Sequence, residues 1–147
     1  MDEIIIYSDG ACSGNPGLGG YGSILRFGGR EVEFSGFQEN TTNNRMELMA
    51  VIIPLESIKK PSKIKVISDS NYLIKGMNEW IKNWINNHWK NSQGKPVLNQ
   101  DLWQRLLRAS KLHQIEWIWV KGHEGHPENE RCDKLAVGEI NKHKRRL

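Results

Sequence analysis

Four acids stand out by their surroundings rather than their number, since the chain carries 17 Asp and Glu in all. Asp9 and Asp69 each close a short β-branched run, the first over Ile4-Ile5-Ile6-Tyr7-Ser8 and the second over Lys63 to Ser68 (KIKVIS). Glu47 lies in TTNNRMELMAVIIPLESI, where apolar residues recur at helical spacing, and Asp133 follows the loop that leaves a third apolar run, Ile115 to Val120. Carboxylates sharing one site repel one another, so such a cluster persists only when protons or cations neutralise it. Oxygen donors without thiolates or paired histidines suit Mg²⁺, with Mn²⁺ as a substitute. Two such ions about 4 Å apart can hold a phosphodiester, one activating the attacking water and the other stabilising the leaving oxygen. The chemistry these residues point to is metal-assisted phosphoryl transfer.

Taken singly, each acid also has an ordinary explanation. Asp9-Gly10 and Ser68-Asp69-Ser70 are common turn sequences. Glu47 could close a capping box with Asn44, and Asp133 could be a solvated acid in the first part of a helix. The elements that carry the two aspartates add weight to the joint reading. A strand, a helix and a second strand form a βαβ unit, whose strands run parallel by the crossover rule, so Asp9 and Asp69 are expected at the carboxyl ends of neighbouring strands, where open α/β sheets hold their ligands. Asn43 or Asn44 is available to cap the intervening helix. Pro54 removes a hydrogen bond and crowds the carbonyl of Ala50, which predicts a kink or an early end near that point.

The remaining elements follow from pattern. Tyr21 to Phe27 and Glu31 to Phe37 read as a hairpin joined at Gly28-Gly29. Tyr72 to Lys111 reads as helical with breaks at Gly76 and at Ser92 to Pro96, and it holds Trp80, Trp84, Trp89 and Trp103. Within it Ile81 and Ile85 read as core. Lys121-Gly122-His123-Glu124-Gly125-His126-Pro127 is a glycine-bracketed loop before a final helix containing Asp133. At 147 residues, 37% hydrophobic and 26% charged, the chain suits a single α/β domain over 1–147, with a basic tail over about 142–147 expected to be disordered. No stretch approaches a membrane span and no leader is visible, which points to a cytoplasmic protein. Cys12 and Cys132 are too few for a disulfide framework, and a net charge of +4 favours a polyanionic partner.

The segments YSDGACSGNPGLGGYG, TTNNRMELMA, SDSNYL, DLWQRL and WVKGHEGHPENERCDKLA resemble, in order and spacing, the signature blocks of type I ribonuclease H of bacterial type. The resemblance implies the ribonuclease H fold, a five-stranded mixed sheet in the order 3-2-1-4-5 with helices on both faces. It carries the family's metal-binding acids onto Asp9, Glu47, Asp69 and Asp133, and its mobile-loop histidine onto His123, for proton transfer and product release. The activity it implies is Mg²⁺-dependent hydrolysis of the RNA strand of an RNA/DNA hybrid by a monomer, leaving 5′-phosphate and 3′-hydroxyl ends, in the removal of primers and hybrids during replication and repair. An inactive hybrid-binding module and another metal nuclease on the same fold are the alternatives.

By the same resemblance Asn15, Asn43, Asn44 and Asn71 contact the RNA backbone and minor groove, where amides can bond 2′-hydroxyls. Thr42 is similar to part of a pocket for a DNA phosphate, and Trp80 and Trp84 match a basic protrusion that flanks the DNA strand. At position 71 the family often has glutamine. The protrusion here is diluted, with Lys82 and Lys90 present but Ile85, Asn86, Asn87 and His88 where relatives are strongly basic. Each phosphate left without a cationic partner lowers the slope of log affinity against log salt by about one. An inactive variant should therefore bind hybrid with a shallower salt dependence than a fully basic relative; an equally steep slope would count against the dilution.

Overall fold

β-branched runs, one glycine-rich hairpin and two capped helices lay out the chain. The structure is a computed structural model that describes residues 3–122 and 126–144. Its elements are β1 (Ile4–Gly14), β2 (Gly17–Phe27), β3 (Arg30–Thr41), α1 (Asn43–Glu56), β4 (Lys63–Ser68), α2 (Asn71–Lys75), a π-helical segment (Gly76–Trp80), α3 (Ile81–Asn86), α4 (Gln100–Ser110), β5 (Gln114–Trp119) and α5 (Pro127–Lys144). The sheet order is β3-β2-β1-β4-β5, with β1, β2 and β3 antiparallel and β1, β4 and β5 parallel, as expected.

Strand alternation sends side chains to two cores. Ile4 and Ile6 join Met46, Leu48 and Ile52 of α1 and Trp103 and Leu106 of α4 in the larger core, all buried. Tyr7, on the other face, packs with Ile24 and with Cys132 of α5. Helix α5 sits close because β2 is bare beneath it: a methyl on Gly22 would run into the carbonyl of Cys132, and one on Gly20 into that of Ala136. Its outer side is tied to the hairpin by ion pairs, Arg131 to Glu31 and Glu33 at 3.0 and 2.8 Å and Arg26 to Glu31 and Glu128, both at 3.2 Å.

Several boundaries differ from expectation. β1 does not stop at Asp9 but runs on to Gly14, because β2 continues to pair it after β4 has ended. The hairpin strands are likewise longer than Tyr21–Phe27 and Glu31–Phe37. Thr42, not Asn43 or Asn44, caps α1, its hydroxyl accepting from the Arg45 N–H at 3.2 Å. Helix α1 ends at Glu56, two residues past Pro54, in keeping with the early end anticipated there. Gly76 is no break; its bareness admits the ring of Trp103, and the helical path passes through it as a π turn. Ile81 is buried but Ile85 is 45% exposed, since α3 ends one residue later and Ile85 joins neither core among the described residues. The tail is helical as far as Lys144, where His143 stacks on Phe37 at 3.3 Å between ring centres, and residues 145–147 lie outside those described.

On the α1 face of the sheet three serines line up across the strands, Ser23 opposite Ser8 and Ser8 opposite Ser68, all buried. Ser23 donates to the Ala50 carbonyl and Ser68 accepts from the Ser70 N–H, but the Ser8 hydroxyl has no hydrogen-bond partner among the described residues. A buried hydroxyl without a hydrogen bond costs about 1–3 kcal/mol. Ser8→Ala should thus raise unfolding free energy in urea by about 1 kcal/mol; a loss of stability instead would show that the hydroxyl is satisfied, for example by water.

Candidate active site

The ladder between β1 and β4 closes at Ser8 opposite Ser68, so Asp9 and Asp69 are the next residues on two adjacent parallel strands. They emerge at the same sheet edge. Alternation along β1 puts Ile4, Ile6 and Gly10 on the α1 face, and Tyr7 and Asp9 on the α5 face. Glu47 reaches the aspartates from α1 across Gly10. A methyl there would lie 2.6 Å from the carbonyl carbon of Met46 and 2.5 Å from the Glu47 nitrogen, so only glycine lets the helix settle this near. The Gly10 N–H then serves both acids, donating to Glu47 Oε1 at 2.5 Å and to Asp9 Oδ1 at 3.1 Å.

Ligand oxygens of Asp9, Glu47 and Asp69 all lie within 4.8 Å of one another. Asp9 and Glu47 are buried and Asp69 half-buried. Burial first, and the neighbouring Asp9 charge second, push the Glu47 carboxyl well above the ordinary glutamate range, against one favourable bond from Gly10. Desolvation and the neighbouring aspartate charges thus favour the protonated form of Glu47. A donor set made only of carboxylate oxygens fits hard divalent cations such as Mg²⁺. Asp133, half-buried on α5, does not belong to this close trio. Its helix nonetheless flanks Asp9: the Cys132 thiol is pushed up to about 12, chiefly by burial and then by the Asp9 charge. His123 lies outside the described residues. His126 is described at the start of α5, its carbonyl accepting from the Glu130 N–H at 3.1 Å.

Amides surround the carboxylates. Asn43, Asn44 and Asn71 line the cavity that holds Asp9, Glu47 and Asp69, about 310 Å³ in volume, together with Ser70 and Tyr72. Asn15, on the β1–β2 turn, and Thr42 face a neighbouring hollow of about 190 Å³ that Asn43 and Asn44 share, with Leu98 and Asn99 opposite. Trp80 and Trp84 stand apart from both. Their rings lie 5.9 Å apart, Trp84 backs onto Trp103 at 5.1 Å, and together they wall a groove that Asn83, Asn87 and Lys90 complete.

Sequence reasoning overlooked the frame behind these amides. Arg45 holds Asp101 through two bonds of 2.7 and 2.9 Å and Asn99 Oδ1 at 3.1 Å, joining the first turn of α1 to the start of α4. The Tyr72 hydroxyl then accepts from the Asn99 amide and the Trp103 indole, both at 3.0 Å. Asn99 adopts a left-handed backbone (φ 60°), which asparagine tolerates better than most residues. An asparagine immediately before a helix was the available signal.

Comparison with known proteins is decisive at this point. The family model for RNase H matches residues 1–141. The chain belongs to the ribonuclease H family. It is 56% identical to the Ribonuclease H of Geotalea uraniireducens (strain Rf4) over 138 residues, covering 94% of each chain. It is 55% identical to the Ribonuclease H of Escherichia coli O139:H28 over 136 residues, 92% of this chain and 88% of that one. Among solved structures it superposes with a TM-score of 0.86 on LC9-RNase H1, described as a type 1 RNase H with the type 2 active-site motif, at 32% identity, covering 96% of this chain and 73% of that one. LC11-RNase H1, solved in complex with RNA/DNA hybrid, shares the fold at 24% identity and a TM-score of 0.66, over 95% of this chain and 97% of that one. Bacterial ribonuclease H is thus both the sequence and the structural family of the chain, as its signature blocks implied.

The raised Glu47 pKa makes a stability prediction for the chain in EDTA. Between the unfolded value of about 4.3 and the higher folded one, the native state binds the extra proton. Stability conferred by protonated Glu47 is therefore present below about pH 4.3 and falls as pH rises through the folded pKa, by up to about 1.4 kcal/mol per pH unit. Glu47→Gln should remove this fall and melt higher than the unaltered chain at neutral pH, and Asp9→Asn should melt at least as high as the unaltered chain. Parallel pH profiles for Glu47→Gln and the unaltered chain, from thermal melts between pH 4 and 8, would refute the repulsion.

Proposed function

We propose that the chain is an endonuclease that hydrolyses the RNA strand of RNA/DNA hybrids, using Mg²⁺ held by Asp9, Glu47, Asp69 and Asp133, with Mn²⁺ as a possible substitute. The observation that carries this reading is the trio of carboxylates within 4.8 Å, bordered by amides in one open cavity. Bound there, the ions would supply an activated water and a counter-charge for the phosphoryl oxygens. Asp9 and Asp69 would face the metals from the sheet and Glu47 from α1, its orientation set by the Gly10 N–H. Asp133 would complete the set from α5.

Asn43, Asn44 and Asn71 would offer amides to 2′-hydroxyls and base edges of the RNA strand. Asn15 would extend that row from the β1–β2 turn. Thr42 has its hydroxyl oxygen engaged by the Arg45 N–H and keeps its own hydrogen to donate, which suits a phosphate oxygen of the DNA strand. Trp80 and Trp84 would flank the same strand. Discrimination would then rest on sugar and backbone rather than base sequence. His123 would move a proton near the leaving oxygen and assist product release, since an imidazole titrates near neutrality.

Products would carry 5′-phosphate and 3′-hydroxyl ends, and the cellular role would be removal of RNA primers and hybrids in replication and repair, by a cytoplasmic monomer. Among the described residues no helix is long and apolar enough to cross a membrane.

Cleavage of end-labelled hybrid, double-stranded RNA and double-stranded DNA of one sequence, in Mg²⁺ and in EDTA, tests the reading. The expected result is cutting confined to the hybrid's RNA strand, dependent on metal and abolished in Asp9→Asn. Hybrid that binds but stays intact under every cation would establish a silent binding module, and cut DNA a different metal nuclease on this fold.

A further inference from the structure

We infer that Trp119 is a positioning residue for Asp69, acting through its indole N–H on the aspartate's main chain; the inference rests on the proposed role of Asp69 as a metal ligand. β4 leaves its ladder one residue too early to hold Asp69 itself. The register with β5 ends at Ser68 opposite Trp119, and the last main-chain bond runs from the Val120 N–H to the Ser68 carbonyl at 2.9 Å. On the far side Ser70 is fixed in turn. Its N–H donates to the Ser68 hydroxyl at 3.0 Å, and its own hydroxyl caps α2 by accepting from the Leu73 N–H at 3.1 Å. Between these two anchored residues the Asp69 carbonyl accepts the Trp119 Nε1–H at 3.1 Å. The same stretch then passes the acid's side chain, for a methyl built on Gly122 would lie 3.6 Å from Asp69 Oδ2.

Among the described residues, core packing does not account for so large a side chain at Trp119. Ile115 and Trp117, four and two residues earlier on the same face of β5, pack against the main core, whereas Trp119 is 45% exposed and belongs to neither core. A tryptophan ordinarily contributes through the area it buries and needs a partner for its N–H when buried. Here much of the ring stays in water while the N–H is committed to the Asp69 carbonyl, one residue beyond the end of the ladder. Groups that orient a metal ligand from behind govern metal affinity by about 10–100-fold even though they never touch the ion. A bond to the main chain acts less directly than one to the carboxylate, which puts the expectation at the lower end of that range.

Trp119→Phe keeps an aromatic ring and deletes the donor. Titration calorimetry with Mg²⁺ alone, on the unaltered chain and on Trp119→Phe, should show about tenfold weaker binding in the variant, while its melting temperature in EDTA stays unchanged. Equal Mg²⁺ affinity in the two proteins would overturn the inference and leave the metal site standing. Weaker binding accompanied by a lower melting temperature in EDTA would also overturn it, as the mark of a merely structural residue. Failure of the unaltered chain itself to bind Mg²⁺ would overturn the metal-ligand reading of Asp69, and this inference with it.

Discussion

Like charges brought together where water is scarce govern this molecule. Asp9 and Glu47 are buried within reach of each other and of Asp69, and the energetic consequence is visible in the reluctance of Glu47 to ionise. Such a cluster cannot arise by relaxation of a floppy surface, because each carboxylate would swing away into solvent. It has to be forced by a scaffold stable enough to bear the repulsion. Two of the acids are forced side by side where the parallel pairing of β1 with β4 ends, and the third by a helix pressed onto a strand at a glycine.

Much of the rest of the architecture supports that pressure. Close approach of α1 needs small residues beneath it, which Gly10 and the pair Ser8 and Ser23 provide. Close approach of α5 on the opposite face needs Gly20 and Gly22, and ion pairs from Arg26 and Arg131 fasten its first turns to the hairpin. Exposed pairs of this kind contribute little singly, but here they form a network around Glu31, which both arginines share. The amide-rich rim follows from the same frame, because Arg45, Asn99 and Tyr72 bind the first turn of α1 to the start of α4.

Legibility in the sequence tracked how local the signal was. The βαβ unit of β1, α1 and β4 could be read from β-branched runs and helical spacing, and with it the pairing of Asp9 and Asp69. Glu47 was less legible, since Asn44 three residues before it mimics a capping box, and only the tertiary approach at Gly10 distinguishes the two roles. The continuation of β1 beyond Asp9 was hidden because it depends on β2 as partner, not on the residues of β1. Ile85 misled for the opposite reason: its spacing from Ile81 is helical, but α3 stops one residue later and Ile85 joins neither core among the described residues. Asp133 was marked only by following the loop after the third apolar run, and its place in the metal set, like the role of His123, came through the resemblance.

Cys132 carries one more consequence. Its thiol lies sealed between α5 and the sheet, and with a pKa pushed up to about 12 it is essentially never a thiolate at physiological pH. Only the thiolate is nucleophilic enough to attack alkylating agents and oxidants readily, so in the closed molecule this sulfur is chemically silent. It becomes reactive only in conformations where α5 has lifted from β2. Half-buried Cys12 lies elsewhere and stays outside this seal. The chain therefore contains a native clock: the rate at which Cys132 is modified counts the openings of the helix that carries Asp133, without any label having to be introduced.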